Sequence, residues 1–141
     1  EFQFLVPSGV GVPFSEGQEV SYRGGGSGGG PNYRATVIVR DADGALLLAV
    51  GEAPDEMTVE RGRRVRNEPA SGYREHVHEV IFTPNGGTPT RVAPGTWARV
   101  TTPDGEFLLW GDSHVRELRG GQPRPPDFVA SWTDFAIIRL P

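Results

Sequence analysis

Between residues 33 and 40 every second position is apolar, with Ala35, Val37 and Val39 on one side of an extended chain. A two-residue period marks a strand with one buried face. The run gives way to Asp43-Gly44, and a second apolar run over 45–50 follows at once. Asp-Gly between two apolar runs predicts a hairpin, because glycine takes positive φ without steric cost. The same grammar recurs twice. Strands predicted at 73–83 and 90–93 flank Asn85-Gly86-Gly87, and strands at 97–102 and 106–110 flank Pro103-Asp104-Gly105. Further extended stretches are predicted at 2–6, 19–23, 57–60, 114–118 and 135–140. No segment sustains a 3.6-residue period with caps, so no long helix is expected.

Roughly ten strands with frequent turns predict an all-β domain, an antiparallel sandwich or barrel. The stretch 119–128, with Gly120-Gly121 and Pro123-Arg124-Pro125-Pro126, is too long for a hairpin and reads as a crossover between two sheets. The expectation is therefore a two-sheet β-sandwich of jelly-roll type, one domain over residues 1–141. Its predicted core holds Ile38, Leu46, Leu48, Val80, Phe82, Val100, Leu108, Trp110, Ile137 and Leu140. The runs 45–50 and 135–138 are apolar on both faces and should lie centrally or under cover.

One stretch does not read as part of a fold. Gly24-Gly25-Gly26-Ser27-Gly28-Gly29-Gly30 has the composition of an engineered flexible linker, and the sequence opens on Glu1-Phe2, a pair that a common restriction site encodes. The expectation is that this segment replaces a loop or joins two pieces of one domain.

Composition narrows the function classes. All 14 basic residues are Arg, and the richness in Arg, Gly, Ala, Pro and Val fits a GC-rich source genome. A net charge of −4 argues against nucleic acid as a partner, since a basic footprint is missing. No apolar stretch is long enough for a membrane-spanning helix, and no signal-peptide pattern opens the sequence. With no Cys, thiolate metal sites and a Cys nucleophile are excluded, while either redox compartment stays open. The expected setting is extracellular or the cell envelope.

The richest chemistry lies in Tyr73-Arg74-Glu75-His76-Val77-His78-Glu79-Val80. On a strand, His76 and His78 share a face about 6.5–7 Å apart, a spacing at which two imidazoles chelate one metal. His114, the third histidine, lies in another predicted strand and would complete a three-His site for a divalent metal. This partly resembles the cupin family, whose jelly-roll barrel carries His-x-His on one strand, a carboxylate shortly after it and a final His on a later strand. The resemblance implies metal-dependent oxygen or isomerase chemistry. The family's carboxylate position falls at Phe82 or Thr83 here, neither of which can serve. The competing reading makes Arg74, His76 and His78 the polar end of a strand, with Glu75 and Glu79 solvated or paired with Arg.

Other groups carry weaker signals. Arg61, Arg63, Arg64 and Arg66 could grip an anionic partner through the guanidinium fork, or form an exposed loop balanced by Glu56, Glu60 and Glu68. Trp132 and Tyr73 offer flat rings for stacking on a sugar or anchoring a protein, with Trp132 expected at the surface. Asp41-Ala42-Asp43-Gly44 resembles the start of a calcium loop, but no Glu follows where one is needed, and a hairpin turn explains it. No Gly-x-Ser-x-Gly elbow is present, and neighbours Ser113 and His114 would point to opposite faces of a strand. Residues 132–138 loosely resemble the closing strand of carbohydrate-binding jelly rolls. The leading expectation is a non-enzymatic binding or assembly module without a cofactor, its partner a protein, a carbohydrate or further copies of itself. The alternatives are a cupin-like metal enzyme and a structural subunit of a larger assembly.

Overall fold

The two-residue alternation folds as strands throughout. The computed structural model describes residues 3–7, 17, 19–25, 32–40, 44–52, 57–68, 72–118 and 129–140. In chain order the strands are β1 (Gln3–Pro7), β2 (Glu19–Gly25), β3 (Asn32–Arg40), β4 (Gly44–Glu52) and β5 (Met57–Glu68). Then come β6 (Tyr73–Pro84), β7 (Thr90–Val92), β8 (Thr96–Thr102), β9 (Gly105–Leu118) and β10 (Val129–Arg139). The described residues are all-β, and the strand pairs are antiparallel. No helix among them is long and apolar enough to cross a membrane. The calcium-like turn at 41–43, most of the Gly/Ser stretch (26–30) and the stretch 119–128 lie outside the described residues. Gly24 and Gly25 do not: they end β2, paired with Ala136 and Phe135. The stretch 119–128 is not the expected crossover between sheets, because the strands it joins, β9 and β10, are antiparallel neighbours paired from Glu117↔Val129 onward.

The predicted hairpins form where turn chemistry placed them. Between β8 and β9, Gly105 takes φ of +137°, and the Thr102 hydroxyl donates to the Gly105 carbonyl while accepting from the Asp104 N–H. After β6, Gly86 takes φ of +69° and the Gly87 N–H donates to the Pro84 carbonyl. Two expectations change. The stretches 106–110 and 114–118 are one strand, β9, running straight through Gly111. The Arg-rich stretch is no loop; it is the second half of β5, which pairs with β6 as far as Glu68↔Glu75. Its alternation is hidden because the register shifts twice, between Arg61 and Arg64 and between Arg64 and Arg66. Each shift reverses which positions face inward.

Strand order along the sheet is β1-β4-β3-β2-β10-β9-β6-β5, with β7 added to β6 and β8 to β9. β6 and β9 are the branch point. Tyr73–His78 of β6 pairs with Ser113–Leu118 of β9. Beyond that ladder the two strands part: β6 takes β7 as its neighbour and β9 takes β8. Gly111 stands at the fork, where a Cβ would lie 2.6 Å from the Val80 side chain.

The core joins the two arms of the fork. Met57, Val80, Phe82 and Val92 on one arm meet Phe107, Leu109, Phe135 and Ile137 on the other, all buried. Full burial of each large side chain contributes about 1.5–3 kcal/mol. The run Phe135-Ala136-Ile137-Ile138 is buried on both faces, as its pattern required, and β10 is an interior strand, between β2 and β9. Val80, Phe82, Leu108, Ile137 and Leu140 are buried as expected, whereas Leu46, Leu48, Val100 and Trp110 are half-buried. The Ile38 side chain lies outside the described set.

Candidate functional site

Directly paired residues on antiparallel strands project from the same face. That rule, applied to β5, β6, β9 and β10, sorts the polar groups. Glu68 pairs with Glu75, Glu75 with Arg116, Val77 with His114, His114 with Trp132, and Asp112 with Asp134. One face of the four strands therefore carries Glu68, Tyr73, Glu75, Asp112, His114, Arg116, Trp132 and Asp134. The opposite face carries His76, which pairs with Val115, and His78, which pairs with Ser113.

The three histidines are thus not brought together. His76 and His78 share a face, but His114 projects from the other, opposite Val77. Each ring has its own partners. His76 Nδ1 lies 2.6 Å from Asn67 Oδ1, and its Nε2 lies 3.3 Å from Glu117. His78 Nδ1–H donates to the Gly62 carbonyl at 2.9 Å.

His114 is the hub of the mixed face. Its Nε2 donates to Asp112 Oδ2 at 2.9 Å, and its Nδ1 stands 3.7 Å from Glu75 Oε1, beyond hydrogen-bond range. The Trp132 ring stacks on the imidazole with centroids 5.1 Å apart and planes 10° from parallel. Arg116 reaches Glu75 at 3.2 Å and places its guanidinium over the Tyr73 ring at 4.1 Å and near the Trp132 ring at 5.1 Å. Glu75 and His114 side chains are only 13% exposed, so their neighbours hold both in place. Burial, reinforced by the facing Asp112 carboxylate, pushes the Asp134 carboxyl above its ordinary range, with His114 partly offsetting this.

The arginines do not converge into one grip. Arg61 points inward, its Nε–H donating to Ser113 Oγ at 2.8 Å; Ser113 is itself linked to Thr133 at 2.8 Å. Arg63 bonds Glu79, Arg66 bonds Glu68, and Arg64 is exposed. Glu79 is buried, with one oxygen accepting from the Arg63 backbone N–H at 3.0 Å and from the Arg63 and Arg91 side chains. The backbone hydrogen bond is the chief cause of a carboxyl held below its ordinary range, against the opposing effect of burial. Gly62 makes the room, since a Cβ there would lie 2.4 Å from the Glu79 side chain.

A shallow groove of about 440 Å³ lies at the far end of the fork, against Pro84, Gly86, Thr88, Thr102 and Pro103. None of the described residues that line it is titratable. Sequence reasoning singled out His114, Tyr73 and Trp132 but not Asp112, Arg116 or Asp134. The available signal was alternation, in Asp112-x-His114-x-Arg116 and Trp132-x-Asp134, which puts a charged or ring-bearing side chain at every second position. Comparison of the chain with protein-family models, with curated proteins and with solved structures gives no match.

Proposed function

We propose that this chain is a non-enzymatic binding module, a β-sandwich of jelly-roll type that engages a protein partner through the mixed face of β5, β6, β9 and β10. The observation that carries this reading is the fixed constellation of Trp132, His114, Arg116 and Tyr73. Aromatic and Arg side chains anchor protein interfaces best when they are held before binding, because less side-chain entropy is then lost. Here Trp132 is held by His114, and Tyr73 by Arg116. Recognition is favoured over turnover because the charged groups of this face engage one another.

A protein suits this face better than a carbohydrate. The Tyr73 and Trp132 rings each already have a neighbour over a flat face, which leaves less surface for sugar stacking. Self-assembly by strand addition at β5 is also disfavoured. Its outer edge carries Arg63, Arg64 and Arg66 and two register shifts, devices that deter edge pairing. The test is a pull-down from the source lysate beside a glycan array, each hit then measured by calorimetry. Trp132→Ala and Tyr73→Ala should each weaken a protein hit by 10-fold or more (about 1.4 kcal/mol), with Arg99→Ala as an unaffected control. Blank screens with a monomer in solution, or a hit indifferent to both ring substitutions, would overturn the reading.

A further inference from the structure

We propose that His114 Nδ1, Glu75 and Glu68 form a binding site for a divalent cation of the zinc class. The cation site lies on the face assigned above to a partner, but it needs no partner to fill it.

The first observation is the state of the imidazole. A carboxylate can only accept, so the 2.9 Å contact between Nε2 and Asp112 puts the ring proton on Nε2. In the neutral ring Nδ1 carries the lone pair. That atom is buried from solvent and has no hydrogen-bond partner among the described residues. A buried acceptor left without a donor is costly. A histidine whose one nitrogen donates to a carboxylate while the other stands free has the arrangement of a metal ligand, with the carboxylate setting tautomer and ring orientation. Trp132, stacked on the same ring, fixes its plane.

The second observation is what the lone pair faces. Glu68 and Glu75 are directly paired across β5 and β6, and one ligand atom from each lies within 4.8 Å of the other and of the imidazole nitrogen. Like charges set directly opposite on a sheet repel. Arg66 and Arg116 compensate in part, each reaching one carboxylate oxygen, Oε1, at 3.2 Å. Around this imidazole the four carboxylates of Glu68, Glu75, Asp112 and Asp134 outnumber the guanidiniums of Arg66 and Arg116, so the surroundings favour a further cation.

Distance is the remaining requirement. Two ligand atoms each about 2.1 Å from one zinc ion are at most about 4.2 Å apart. The observed group needs to close by less than about 1 Å to meet that limit. Glu68, 38% exposed at the end of β5, has the freedom to do this. One imidazole and two carboxylates suit zinc or manganese better than calcium or magnesium, which prefer all-oxygen sets.

The test is a titration of the untagged, chelator-treated chain with zinc chloride, followed by calorimetry and by long-range proton–nitrogen spectra of the histidine rings. One equivalent should bind, with the His114 Nδ1 resonance shifting and those of His76 and His78 staying in place. Glu75→Gln and Glu68→Gln should each weaken binding by more than 10-fold, and Asp112→Asn by about 10–100-fold through loss of ring orientation. The spectra of the unsubstituted chain decide the matter even where a variant fails to fold. No binding below millimolar zinc, or a shift at His76 or His78 with His114 unmoved, overturns the proposal. Neither outcome depends on the partner screens, so a failure of this site and of the partner reading can be told apart.

Discussion

Replacing Gly111 with alanine probes the fork directly. The added Cβ would lie 2.6 Å from both Cβ and Cγ2 of Val80 and 3.2 Å from its Cγ1. Comfortable carbon contacts are about 3.5–4.0 Å, so β6 and β9 must part by roughly 1 Å at the point where their ladder ends. Val80 cannot yield easily: it is fully buried, and it packs in the cluster with Phe82, Phe107 and Phe135. Overpacking of this kind costs about 1–3 kcal/mol. For a chain of this size the loss should lower Tm by roughly 3–10 °C. Urea unfolding of Gly111→Ala, Val80→Ala and the double variant gives the coupling. The double variant should lose less than the sum of the single losses, by about 0.5–2 kcal/mol, because the shortened Val80 returns part of the space. A Gly111→Ala protein within about 0.5 kcal/mol of the parent would refute the close crossing of these strands.

Further substitutions test other contacts. Glu79→Gln should destabilise by about 1–3 kcal/mol at neutral pH, since a buried acceptor of charged donors is weakened. Glu79's folded-state carboxyl lies below its ordinary value of 4.5, so its stabilisation is complete above that pH and is lost as pH falls through the folded value. Thermal melts should therefore show the parent losing stability below about pH 4.5 more steeply than Glu79→Gln; equal slopes would contradict the buried bond. Asp134 has the opposite sign. Its carboxyl is raised above 3.8, so its contribution is present below that pH and is lost as pH rises through the folded value. Asp134→Asn should consequently gain stability at pH 7 relative to the parent, and a clear loss would argue that the carboxylate has a partner. Ser113→Ala removes the bridge between Arg61 and Thr133 and should cost about 1–3 kcal/mol in denaturant unfolding; a neutral result would mean the Arg61 bond is not formed.

Much of the fold was legible because its signals are local. Asp43-Gly44, Asn85-Gly86-Gly87 and Pro103-Asp104-Gly105 announce their reversals, and the 135–138 run announces a strand covered on both sides. The second half of β5 was hidden for a physical reason: register shifts around Gly62 and Val65 break the alternation that a strand reading relies on. Glu79 looked like a surface charge because the donors that permit its burial, Arg63 and Arg91, come from two other strands. The histidines illustrate the deepest limit. Pattern fixes that His76 and His78 share a face, since they are two residues apart. Which face His114 shares depends on whether it pairs with Val77 or with a neighbour of Val77, a single step of register across more than thirty residues of chain. No local pattern encodes that step, and it exchanges a three-His cluster for a His–Glu–Glu one.

That register is best measured by backbone nuclear Overhauser contacts between β6 and β9 in the isotope-labelled chain. The account predicts cross-strand contacts of Val77 with His114 and of His78 with Ser113, together with contacts between the Val80 methyls and the Gly111 α-protons. Contacts pairing His114 with His76 or His78 would shift the ladder by one residue, turn His114 to the other face and contradict the site described here.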